Sequence, residues 1–248
     1  MRAALLAVGL LGAWELYARL GGVDDFLLPA PTDIAGALVD DRALLWDNLV
    51  VTGGEVLLGI AVSLIAGMAC AAAVHLSTTL RRTVYPLLVA SQTIPVVIVA
   101  PLLVAWFGYE LAPKLAIIAL ICFFPVVVTT LDAMARVDPA ALKLMRTLDA
   151  SRLQAFRLVE ARAALPGLFS GAKIAVAVAV IGAVLAEQAG SSEGLGHLLL
   201  QAVPQLETAR AYAAVVLLSA LALVLFGALA LIERRALPWA FQPSGGTS

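Results

Sequence analysis

Six stretches of this chain are too apolar and too long to be the half-buried helices of a soluble domain. They run about 3–20, 49–74, 84–107, 115–131, 168–188 and 211–232. Crossing a bilayer core of about 30 Å takes roughly 20 helical residues, with 17–25 tolerated. Even the short stretch 115–131 is therefore long enough. Only 13% of the 248 residues are charged and 62% are hydrophobic, where soluble domains carry about 25% charge. The pattern predicts an all-α integral membrane protein, one domain over residues 1–248 with six transmembrane helices. No internal repeat is visible, which disfavours carriers built from paired repeats.

The first run resembles a signal peptide in carrying Arg2 ahead of the apolar stretch Ala3–Ala13. Trp14 and Tyr17 crowd the place where a cleavage site needs small residues. Glu15 and Arg19 stand four apart, acid first, and are predicted to pair on one helix face. The reading is a retained first span. Beyond it, Leu28-Pro29-Ala30-Pro31-Thr32-Asp33 predicts extended chain and then a helix start capped by Thr32 or Asp33. Ile34, Leu38, Leu45 and Trp46 suggest a short amphipathic helix at the membrane interface. The tail Gln242–Ser248 is expected to be loose.

Between the fourth and fifth runs lies a polar island, Asp132–Pro166, with ten charged residues. At about 2.5–3.5 kcal/mol per charge at mid-bilayer, simple addition gives roughly 25–35 kcal/mol, so the island must lie in water. Val137-Asp138-Pro139 predicts a capped helix start. About ten helical residues follow, with Leu142, Met145 and Leu148 on one side and Lys143 and Arg146 elsewhere. Ser151-Arg152-Leu153-Gln154 has the pattern of a capping box and opens a second helix, with Phe156 and Val159 apolar and Pro166 starting the fifth span. Two short helices with apolar knobs ringed by arginine suit a partner's groove, and they suit a lipid surface equally.

Charge assigns the sides. With the amino terminus inside, inner segments carry twelve basic and five acidic residues, and outer segments four basic and twelve acidic. The inner balance of +7 and outer balance of −8 account for the overall −1. The excess of Lys and Arg places the island and both termini in the cytoplasm.

The run Arg146-Thr147-Leu148-Asp149-Ala150-Ser151-Arg152-Leu153-Gln154-Ala155-Phe156-Arg157-Leu158-Val159, followed by Ala163-Ala164-Leu165-Pro166-Gly167, resembles the EAA loop of bacterial ABC importer permeases. Shorter resemblances fall in family order: Leu28-Pro29-Ala30-Pro31, Trp106-Phe107-Gly108, Phe123-Phe124-Pro125, then Glu187 with Gly194-Leu195-Gly196. They are similar to the sulfonate, nitrate and taurine type. Ser91-Gln92-Thr93-Ile94-Pro95, Ala100-Pro101-Leu102-Leu103 and Ile121-Cys122-Phe123-Phe124-Pro125 look most like permeases for pyrimidine precursors of thiamine. Riboflavin importers share the scaffold.

The resemblance implies a type I importer fold in the bacterial inner membrane. The island then becomes a coupling-helix pair, with Leu142, Met145, Arg146, Leu148, Asp149, Ala150, Ser151, Phe156 and Pro166 meeting an ATPase. It also implies a second permease copy and an extracytoplasmic substrate-binding protein. Two departures stand out. Asp149 replaces the family's turn glycine, a position needing left-handed backbone, which Asp tolerates at some strain. Lys143-Leu144-Met145 replaces the sequence that names the loop, and Arg162 replaces the first of two prolines. The chain has no G-x-x-x-x-G-K-[ST] loop. No cofactor is expected in it, ATP and magnesium being held by the partner ATPase.

Within the spans, Gln92, Thr93 and Pro95 are the candidates for lining a pathway. An amide about 12 Å into the membrane needs another helix or a wet cavity, and either satisfies Gln92. Glu187, ending the fifth span, reads as a gate, as a contact for the substrate or its binding protein, or simply as a solvated carboxylate. Lys173 is expected to snorkel to the inner interface, and Gly167 with Gly171 to pack against a neighbouring helix. Cys70 and Cys122 read as packing residues, and His75 and His197 lack the partners a metal requires. The rival class is a channel or an intramembrane enzyme. Catalysis finds no paired intramembrane acid, histidine pair or nucleophile elbow to support it; a channel is set apart by co-purification, since it brings down no ATPase.

Overall fold

The computed structural model describes residues 2–24 and 26–241, and the described residues are helices joined by short turns. The tail from Gln242 lies outside them. The helix α1 (Arg2–Leu20) covers the first expected span, and its Glu15–Arg19 pair forms at 3.2 Å. Arg19 continues to Asp33 at 2.6 Å, which ties α1 to the short helix α2 (Pro31–Asp40). Pro31 is the first helical residue of α2, the cap is Ala30, and Asp33 reaches back to the Ala30 N–H. The expected interfacial helix thus stops at Asp40. Leu45 and Trp46 belong instead to α3 (Arg42–Leu76), where Leu45 is buried and Trp46 exposed.

Next come α4 (Thr78–Ser91), whose cap Ser77 accepts from the Leu80 N–H, and α5 (Val96–Phe107). The expected third span is these two helices, bent by 100°. It is broken rather than kinked: Pro95 supplies no amide to a helix and keeps Ile94 out of helical geometry. The pair still crosses the bundle. Thr78 follows the end of α3 directly, while Val104 of α5 lies against Gly190 at the opposite end.

The helix α6 (Leu111–Ala135) is longer than its apolar run. The island folds as α7 (Pro139–Thr147) and α8 (Arg152–Ala155), and a π-turn at Phe156–Glu160 leads into α9 (Ala161–Gly190). Pro166 therefore sits inside a continuous helix, Arg152–Gly190, and does not start a new one. Then follow α10 (Leu195–Ala202) and α11 (Thr208–Ala236). Among the described residues, α3, α6, α8–α9 and α11 are each long and apolar enough to cross a membrane, and the bent pair α4–α5, taken together, passes the same test.

The core is α9 laid against α6 and α3. Gly171 brings its backbone onto Pro125 and Val126 of α6, where a Cβ would meet the Pro125 carbonyl at 3.0 Å and Val126 Cα at 3.1 Å. Gly167 lies as closely on Thr129 and Ala133, so both expected packing glycines do pack. Gly59 and Gly67 of α3 receive Ile118 and Val126 in the same way. Without a hydrophobic force between helices in lipid, such close backbone approach is what holds a bundle together. Cys122 is buried in this core, and Cys70 packs against a smaller cluster of Ala71, Val74, Val127 and Leu131 between α3 and α6.

Candidate functional site

Three features of the fold have no purely packing explanation. The first is the island. Asp138 caps α7 by accepting from the Ala140 N–H at 2.8 Å, and Ser151 and Gln154 form the reciprocal box that opens α8. Between the helices Asp149 adopts φ 51°, the left-handed conformation expected of that position. The Asp149 N–H donates to the Arg146 carbonyl and the Ala150 N–H to that of Met145. These two bonds make the closing pattern that usually ends on glycine. Leu144, Leu148, Leu153 and Leu158 are 50–67% exposed, and Lys143, Arg146, Arg152, Arg157 and Arg162 stand exposed among them. Leu142, Met145 and Phe156 are half-buried, as are Ala150 and Pro166. Of the expected contact set, then, Arg146, Leu148, Asp149 and Ser151 face outward. Phe156 faces inward and lines a cavity of about 200 Å³ with Met68, Met134 and Leu168. Helical spacing in the sequence puts Leu142, Met145 and Leu148 on one face and does not single out Leu144, Leu153 and Leu158, which the structure leaves exposed.

The second feature is the break at Gln92–Pro95. The α4 helix has 14 residues, so the break lies about 20 Å along from its start at 1.5 Å per residue. Gln92, Thr93, Ile94 and Pro95 are all exposed. The Thr93 hydroxyl donates to the Ala90 carbonyl at 2.8 Å, and the first amides of α5 have no intrahelical acceptor. Non-helical backbone at membrane depth persists only where it borders water or protein, never lipid. The break brings the three candidates Gln92, Thr93 and Pro95 together on one exposed surface.

The third is a polar knot at the acidic end of the bundle. Glu187 is fully buried, so it is not a solvated carboxylate. Its Oε1 accepts from the Thr52 hydroxyl at 2.7 Å and its Oε2 from the Gly196 N–H at 2.5 Å. Thr52 accepts in turn from the Leu195 N–H, and Asn48 from the Gly194 N–H. Beside it Lys114 donates to Glu55 at 2.6 Å and to Ser191 at 2.7 Å. Gly194 has φ 106°, and a Cβ there would strike the Glu187 carboxylate. A Cβ on Gly196 would meet Val184 Cα at 2.8 Å. The Gly-Leu-Gly motif is thus what lets the α9–α10 corner close over Glu187. Asn48, Thr52, Glu55 and Lys114 went unremarked in the sequence. The signal was there: the first three recur at helical spacing in an apolar run, and Lys114 borders the next. At the other end Lys173 does not snorkel freely. It pairs with Glu233 of α11 at 2.7 Å.

Among the described residues no group of three or more His, Cys, Asp or Glu could hold a metal.

Residues 59–238 match the family model described as binding-protein-dependent transport system inner membrane component. A Haemophilus influenzae protein named as a probable ABC transporter permease is 39% identical over 223 residues, 90% of this chain and 91% of the relative. The formylaminopyrimidine transport permease ThiX of Halalkalibacterium halodurans is 36% identical, covering 93% of this chain and 92% of its own. A crystal structure of an amino acid ABC transporter with histidines superposes with a TM-score of 0.63 at 17% identity, over 80% of this chain and 96% of that one.

Proposed function

The chain belongs to the family of inner membrane components of binding-protein-dependent transport systems, the permeases of ABC importers, and on that premise we propose that its cargo is a pyrimidine precursor of thiamine. What supports this cargo is the similarity to a formylaminopyrimidine permease over nearly the full length of both chains. The chain is a multi-pass membrane transport subunit. In our reading both termini and the island lie in the cytoplasm, and the polar knot faces outward. Two ATPase subunits dock on the island and hold ATP and magnesium, this chain having no phosphate loop of its own. A second copy of the permease completes the pathway, and a binding protein delivers the cargo from outside.

The observation that carries the docking role is the exposed leucine face on α7 and α8, rimmed by arginines and fixed by the turn at Asp149. Exposed leucines at a charged membrane surface call for a partner groove. Gln92, Thr93 and Pro95 line the path in this reading, because an exposed break at that depth must border water or the second copy. Glu187 holds the outer corner and does not touch cargo. ATP-driven closure of the ATPases moves the docked helices and exchanges outward for inward access, the helices being the two-state element.

Co-purification tests the docking role. The unaltered permease should bring down its ATPase in detergent, and Leu148→Asp should abolish that. Phe156→Asp should abolish it too, by unseating the loop from behind. A Leu148→Asp transporter that still couples ATP hydrolysis to uptake places docking elsewhere. For the cargo, the binding protein encoded alongside is titrated with formylaminopyrimidine, riboflavin, taurine and an aliphatic sulfonate. Tightest binding of anything but the pyrimidine overturns the cargo assignment alone.

A further inference from the structure

We propose that Glu160 is a positioning residue of transport, whose carboxylate joins the docking loop to α3, so that movement of α7 and α8 reaches a second span besides α9. The inference rests on the reading of the island as the ATPase docking loop.

Glu160 ends the π-turn between α8 and α9, and its side chain is 3% exposed. One oxygen meets Arg152 Nη1 at 3.0 Å and the other meets His75 Nε2 at 3.1 Å. Arg152 is the first residue of α8 and stands half in solvent, within the docking surface. His75 lies in the last turn of α3. Phe156, at the start of the same π-turn, sets its ring against the imidazole with centroids 6.2 Å apart. His75 also lines a cavity of about 140 Å³ with Arg81 and Tyr85 of α4 and Leu131 and Asp132 of α6. The histidine therefore stands where three spans end, and Glu160 is its link to the loop.

The physical argument follows from burial. A carboxylate shielded from water is held by the groups paired with it, the Arg152 guanidinium above all, and removing that cation leaves it uncompensated. Here one partner belongs to the surface that meets the ATPase and the other to a span. An acidic group of the ATPase approaching Arg152 draws on the charge that Glu160 uses, and Glu160 then leans on His75. Packed side chains with two discrete arrangements carry coupling in this way. The π-turn supports the arrangement, because its looser closure lets Phe156 and Glu160 both face α3, and such turns gather at working sites.

The test uses the whole transporter, permease with its ATPase and binding protein, in liposomes, with labelled formylaminopyrimidine as cargo. Glu160→Gln and His75→Gln should each retain the ATPase and continue binding-protein-stimulated hydrolysis. Cargo moved per ATP should fall about five-fold or more. The double variant should be no worse than the poorer single one, since both break one link. Unchanged cargo per ATP in both single variants overturns the proposal. So does a double variant whose loss multiplies the two single losses, or a loss explained entirely by a detached ATPase. Should Glu160→Gln fail to fold, His75→Gln on its separate helix decides the matter. An unaltered permease that never retains an ATPase sinks the docking reading itself.

Discussion

Asp149 occupies left-handed backbone that glycine enters freely and other residues enter at a cost of about 1–2 kcal/mol. Asp149→Gly should therefore raise the melting temperature of the solubilised protein and leave ATPase retention unchanged or tighter. At the polar knot the expected sign is opposite. Lys114→Met leaves Glu55 buried without its cation and should cost about 3–5 kcal/mol, read as early thermal unfolding in detergent. The double change Lys114→Met with Glu55→Met should recover most of that loss, because no uncompensated charge remains. The turn at Asp149 was legible in the sequence, since caps and chirality are local rules. The knot was not, because its members lie on α3, α6 and the α9–α10 corner, and only the fold brings Thr52 within 2.7 Å of Glu187, 135 residues away.

At the level of helices, the contact of α9 with α6 decides whether the bundle closes. Gly171→Ala should cost about 1–3 kcal/mol, since the added methyl strikes the Thr129 hydroxyl and, behind it, the unyielding backbone of Pro125 and Val126. Gly227→Ala on α11 is the control: nothing lies within 4 Å of its Cβ, and helix propensity predicts no loss or a small gain. Thermal unfolding of the two variants side by side checks both. Gly167 and Gly171 were readable as a small-residue pair before any partner was known. The break in the third span was half readable. Pro95 marks where the helix fails, but the 100° turn depends on how α5 lies on α6 and α9. Pro166 misled for the converse reason: it loses one bond to a carbonyl at the bundle's polar end, and the packing of Ala164, Gly167 and Gly171 on either side keeps the helix running.

For the molecule as a whole, the membrane class and the place of the exposed two-helix island follow from the order of apolar and charged segments. Their connection does not. The docking helix α8, the π-turn and α9 form one unbroken run from Arg152 to Gly190, 39 residues, or about 58 Å at 1.5 Å per residue. At one tip of that run is the exposed leucine face proposed to meet the ATPase, and three residues before the other tip is Glu187, held in the α9–α10 corner. The molecule has a pushrod. In the proposed cycle, a displacement applied at α8 reaches the far face as the motion of a single solid part, without a relay of side chains in between. Spin labels placed beside Arg152 and beside Gly190 should therefore report the nucleotide-driven shift with one time constant. A measurable lag between the two ends would mean that the rod bends at Pro166 or at the π-turn.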